Sequence, residues 1–85
     1  QARDSHPAAR FSLVELKAGG TIEPHLHEDE IETVYILAGQ GLLTLGDEER
    51  HIRAGMGVSI PVGLQHSLRN SGTMPMKIFA VHVQN

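Results

Sequence analysis

Glycine sets the grain of this sequence. Gly19-Gly20, Gly39, Gly41, Gly46, Gly55, Gly57, Gly63 and Gly72 recur at short intervals and leave only brief apolar runs between them. The runs span residues 11–16, 21–27, 31–37, 42–45, 50–53, 56–60, 65–68 and 76–83. None reaches the length of an ordinary helix, and Val, Ile and Thr are frequent within them, which favours strands. About eight short strands divided by turn signals point to an all-β sandwich or barrel. The stretch 46–49 (GDEE) lies between two alternating runs and reads as a hairpin turn. Residues 1–10 show no periodicity and read as an N-terminal arm or a leading strand.

The run 31–37 has no clean polar face: Thr33, Tyr35 and Leu37 alternate with Glu32, Val34 and Ile36. A half-solvated strand has one polar face. The outer face of this sheet is therefore expected to be covered, by the arm or by a second copy of the chain in a homodimer. At 85 residues the chain has room for one thin core and one domain, 1–85. It holds no cysteine, so no disulfide framework, thiolate metal site or thiol nucleophile is available. Ten acidic against seven basic side chains leave a formal charge of −3, which argues against a nucleic-acid partner. No window approaches the roughly 20 apolar residues of a membrane span, so a soluble cytoplasmic protein is the expectation.

The composition is ordinary except for histidine. Six histidines stand beside seven Lys plus Arg. His25 and His27 are separated by one residue, so on a strand both imidazoles project from one face and can reach one ion. Pro24 supports an extended chain there, since it disfavours the helical region for Glu23. Such a pair is also what an exposed surface strand carries. Downstream come Glu32 and His66. From His27 to Glu32 is five steps, which on an unbroken strand places Glu32 on the opposite face. The acidic stretch 28–30 is unsuited to a strand, so a turn or bulge there resets the parity and lets Glu32 face inward with Val34 and Ile36. A carboxylate on an apolar face is costly unless it is paired or bound to a cation. That shifts the reading from surface decoration to a metal site.

The spacing carries a resemblance. The first stretch reads Gly19, five residues, His25, one residue, His27, four residues, Glu32, six residues, Gly39. The second reads Gly55, five residues, Pro61, one residue, Gly63, two residues, His66, three residues, Asn70. The stretches 19–39 and 55–70 resemble the two signature motifs of the cupin superfamily with no position missing. The 15 residues between them resemble the minimal spacing of small microbial cupins. The resemblance implies a double-stranded β-helix, or jelly roll, with one divalent transition metal near the wider mouth. It implies His25, His27, Glu32 and His66 as the ligands, with Asn70 structural and the glycines and Pro61 at turns.

Nitrogen and oxygen donors of this kind suit Mn, Fe, Co, Ni, Cu or Zn, and ligand type alone does not choose among them. One carboxylate leaves a net charge of +1 on a divalent ion. Octahedral geometry would keep two positions open for water, dioxygen or a small-molecule ligand. The resemblance therefore implies a metalloenzyme of dioxygenase-like type acting on a small organic molecule. Its competitors are a non-catalytic binding or sensor module, a structural or storage protein, and a zinc-dependent hydrolase or isomerase using Glu32 as general base. Among the other histidines, His82 shares a face with Ile78 and Ala80 and is a candidate for proton transfer, set against a hydrogen-bonded half-buried role. His51 reads as a solvated hairpin residue and His6 as incidental. Tyr35 is expected in the core or at an interface, Arg69 on the exterior, and 28–30 in a solvated loop near the mouth.

Overall fold

The structure, a computed structural model, describes residues 9–84, so His6 and most of the expected arm lie outside the described residues. Eight strands follow in order: β1 (Ala9–Leu16), β2 (Thr21–His25), β3 (Glu30–Ala38), β4 (Gln40–Leu45), β5 (Glu48–Arg53), β6 (Gly57–Ile60), β7 (His66–Arg69) and β8 (Met76–Gln84). They form two four-stranded antiparallel sheets, ordered β1-β8-β3-β6 and β2-β7-β4-β5. Each expected apolar run coincides with one strand to within a few residues. This is the all-β jelly roll the motifs imply.

The strand register explains why the inside of the barrel is layered. In the first sheet Arg10 pairs with His82, His82 with Glu32 and Glu32 with Ile60. Two residues deeper the row is Ser12, Ala80, Val34 and Val58, and two deeper again Val14, Ile78 and Ile36. Side chains two apart on a strand share a face, so these rows all point inward. The second sheet repeats the pattern, with His25 opposite His66 and Leu68 between Ile22 and Leu43. Polar groups thus gather at one end, above a floor that includes Ile36, Leu43, Ile52, Met76 and Ile78, each at most 2% exposed.

Two glycines fit the chain to this geometry. A Cβ on Gly41 would lie 2.5 Å from the Arg69 carbonyl and 2.8 Å from Met76 sulfur, so only glycine lets β4 pass so close. Gly63, at φ +80°, completes the turn after Pro61 that aims β7 back into the barrel.

Some expectations need correction. The hairpin turn is two residues, Gly46-Asp47, with Leu45 directly opposite Glu48; Glu48 and Glu49 already belong to β5. Gly46 has φ +59°, and a positive φ at the first turn position matches the twist of the flanking strands. Glu30 is not loop but the first residue of β3. Of the two settings expected for Tyr35, the core is excluded: it is 44% exposed on the outer face of the first sheet, where an interface would lie. Among the described residues nothing covers that face, where Phe11 and Leu13 are 66% and 70% exposed. His51 and Arg69 are exposed, as expected. No helix among the described residues is long and apolar enough to cross a membrane.

Candidate metal centre

The four residues of the proposed ligand set come from three strands and one loop, and the fold brings them together. His25 ends β2, His27 follows two residues later, Glu32 lies on β3 and His66 opens β7. One nitrogen or carboxylate oxygen from each lies within 4.8 Å of all the others. The connection 26–29 between β2 and β3 performs the parity reset, so Glu32 faces inward and is 8% exposed. The backbone locks the two motifs to each other: Gly63 N donates to the His27 carbonyl at 2.8 Å, clipping the second turn onto the end of the first stretch.

Hydrogen bonding fixes which ring nitrogens are available. His25 Nδ1 donates to the Glu23 carbonyl and His66 Nδ1 to the Leu64 carbonyl, both at 2.8 Å. A carbonyl oxygen only accepts, so the proton sits on Nδ1 and a neutral ring presents a lone pair at Nε2. Outer-shell bonds of this type orient histidines for metal binding. His66 Nε2 points at Glu32 Oε1, 2.9 Å away, and His27 Nε2 lies 3.4 Å from the same oxygen. Lone pairs facing each other at such distances require a proton or a cation between them. Neighbouring ligands held about 2.1 Å from one ion at right angles stand about 3 Å apart, which these separations approach. His27 Nε2 is, besides, buried without a hydrogen-bond partner. The donor set, its spacing and this orphaned nitrogen all fit a divalent transition metal.

His82 also belongs to the site. Its Nε2 lies 3.1 Å from Glu32 Oε2, the oxygen turned away from His66, and the residue is 7% exposed. The half-buried role is thus replaced by a buried one, directly on a proposed ligand. Its Nδ1 has no hydrogen-bond partner. His82 and Glu32 are register partners on adjacent strands, which is why they meet.

A feature that the sequence pattern did not reveal lies at the rim. Arg10 Nε and Nη2 donate to the two carboxylate oxygens of Glu30 at 3.2 and 2.7 Å, a two-pronged pair. The hydrogen bond and charge of Arg10 hold the Glu30 carboxyl below its ordinary pKa, and Glu30 in turn raises that of Arg10. The Glu30 carboxylate stands 3.7 Å from His27 Nδ1. Burial lowers the His27 pKa, against the opposing pull of Glu32. Asn70 is structural in the way expected: it is 1% exposed, its amide donates to the Leu16 and Met74 carbonyls, and its oxygen accepts from Gly72 N.

From the histidines down, the space between the sheets is an open cavity of about 220 Å³. Arg10, Ser12, His25, His27, Glu32, His66, Ser67 and His82 supply its polar lining, and Val, Ile, Leu and Ala side chains supply the rest.

Known proteins share this fold. The family model of the cupin domain matches residues 12–82. The chain is 34% identical over 77 residues to the oxalate-binding protein of Thermotoga maritima, covering 89% of this chain and 64% of that protein. It is 28% identical over 75 residues to mannose-1-phosphate guanylyltransferase of Klebsiella pneumoniae, covering 88% of this chain but only 16% of that enzyme. Among solved structures, a predicted oxalate decarboxylase from Thermotoga maritima superposes with a TM-score of 0.88 at 28% identity, covering 99% of this chain and 72% of the other.

Proposed function

The chain belongs to the cupin family, and on that premise we propose that it is a metalloenzyme acting on a small organic molecule. One divalent transition metal is held by His25, His27, Glu32 and His66. The observation that carries this reading is the convergence of the four donor atoms within 4.8 Å at the mouth of an open, largely aliphatic cavity. A bound metal supplies Lewis-acid polarisation of a substrate oxygen and, where it is iron or manganese, redox chemistry with dioxygen. Dioxygenation is the reaction we propose first. The residues of the chain do the rest. Backbone carbonyls at Glu23 and Leu64 orient His25 and His66, the aliphatic walls exclude water, and His82 Nε2 holds Oε2 of Glu32 so that Oε1 faces the imidazoles.

Glu32 acts as ligand here and not as a general base, because its Oε1 lies among the imidazole nitrogens and not apart from them. The similarity to an oxalate-binding protein favours a second reading, a metal-containing binding module without turnover. Elemental analysis of protein purified without added metal, followed by an oxygen-consumption screen over small carboxylates and diols, separates the two. One metal per chain with oxygen uptake supports the enzyme. One metal with ligand binding but no turnover supports the module. Absence of any retained metal removes both.

We also propose a homodimer. Phe11, Leu13, Ile31, Tyr35 and Leu37 form an exposed apolar face on the outer side of the first sheet. Contiguous patches of that kind mark interaction surfaces.

A further inference from the structure

We propose that the ligand taken by this cavity is a small aliphatic monocarboxylate of about four to six carbons. Its head is held at the His/Glu end and its hydrocarbon body reaches down between the sheets. The head group rests on the metal reading above; the body does not.

The layering of the barrel makes the argument. Every charged or imidazole group that lines the cavity belongs to its upper end: Arg10, His82 and Glu32 share one row of the first sheet, His25 faces His66 in the second, and His27 follows His25 by two residues. The next row contributes Ser12, Ala80 and Val34, and the row below Val14, Ile78 and Ile36. A ligand seated here has one polar end and one apolar end. A sugar phosphate, or a dicarboxylate too long to place both carboxylates on the metal, would leave hydroxyls or a second charge against aliphatic carbon, where unpaired polar groups are strongly penalised.

The sign of the head group follows from the net charge of the metal and from the free N–H donors of Arg10, whose own charge Glu30 balances. A divalent ion with one carboxylate ligand keeps a net positive charge. Arg10 is the one arginine or lysine among the described residues that line the cavity. Glu30 engages Nε and one edge of Nη2. A guanidinium carries five N–H donors, so among the described residues the outer edge, formed by Nη1 and the remaining Nη2 hydrogen, is left for a second carboxylate. Glu30 thereby fixes the fork in place without exhausting it. The size follows from the volume: about 220 Å³ is the room of about seven waters, which matches a carboxylate with a body of a few methylenes.

The test is a titration of cobalt-loaded protein with acetate, butanoate, hexanoate and decanoate, followed by the cobalt absorption bands. Succinate serves as comparator because it has as many non-hydrogen atoms as hexanoate. Affinity is expected to rise about fourfold per added CH₂ up to about hexanoate, then to stop rising at decanoate. Succinate is expected to bind at least a hundredfold more weakly than hexanoate. The Ala80→Leu variant, which fills the second row, should lose the gain between butanoate and hexanoate while keeping acetate affinity. Arg10→Ala should weaken the whole series by a common factor of about ten. Circular dichroism and cobalt content check that both variants fold and load. Affinity independent of chain length, or succinate binding as tightly as hexanoate, would overturn the proposal. Should the protein fail to take up cobalt, the same series is read on the metal-free chain by NMR shifts of the Val34 and Ala80 methyls. A surviving chain-length dependence there keeps the aliphatic site and discards the metal, whereas no dependence discards both.

Discussion

Replacing His66 with Ala removes one side chain on which both the integrity of the centre and its metal affinity depend. His66 is 5% exposed, and its Nε2 stands 2.9 Å from Glu32 Oε1. Without the imidazole that oxygen faces only His27 Nε2, at 3.4 Å. Leaving a buried polar group without its partner costs about 1–3 kcal/mol. Chains of this size lose about 4–8 °C in melting temperature per kcal/mol. The metal-free variant is therefore expected to melt about 5–20 °C below the metal-free parent. The response to metal is the sharper readout. A metal at a hundred times its Kd adds about 2.7 kcal/mol to the stability of the parent. That raises its melting temperature by about 10–20 °C. A hundredfold loss of affinity in the variant leaves about 0.4 kcal/mol at the same concentration, a rise of only about 2–3 °C. Scanning calorimetry with and without Co(II) or Zn(II), paired with elemental analysis after desalting, measures both quantities. A variant that keeps the full metal-induced rise would refute the proposed centre, whatever happened to its baseline.

Other perturbations probe other parts of the structure. Asn70→Ala strips partners from two carbonyls and one amide in a residue that is 1% exposed, and is expected to cost about 2–4 kcal/mol. Urea unfolding should show a lower midpoint at unchanged slope; a loss under about 0.5 kcal/mol would contradict the structural role. Leu13→Glu places a charge on the exposed outer face and should convert a dimer to a monomer in sedimentation velocity, with the metal content unchanged. A parent that is monomeric at high concentration rules out the homodimer. The His27 pKa is lowered by burial, so in metal-free protein its NMR titration midpoint should fall below 6.5. The unfolded chain then takes up a proton that the folded chain resists. This contribution to stability is fully present above the unfolded value of about 6.5 and is lost as the pH falls towards the folded one. A midpoint above 6.5 would mean that Glu32 outweighs burial.

Much of the architecture was legible because it is written in local rules. Period-two alternation and glycine spacing located all eight strands, since side-chain direction in a strand depends only on parity. The same rule, applied to the break at 28–30, turned Glu32 inward. The hairpin at Gly46-Asp47 was read two residues too long, because two glutamates resemble a turn in composition while the backbone needs only one residue with positive φ. Tyr35 was legible only by face: parity set it opposite Glu32, but nothing local says whether that face is covered.

What the sequence determined by itself is the strand set, from alternation and glycine spacing, and, through the family resemblance that its motifs carry, the jelly roll and the four residues that converge at the mouth. The tertiary structure alone decided the rest of the site. Arg10 meets Glu30 across 20 residues, and His82 meets Glu32 across 50, through β8 lying between β1 and β3. That adjacency is a property of sheet order, which no short window encodes. The depth of the cavity and its division into a charged rim over an aliphatic floor also come from register between distant strands. Spacing selects the donor atoms; sheet order sets what surrounds them.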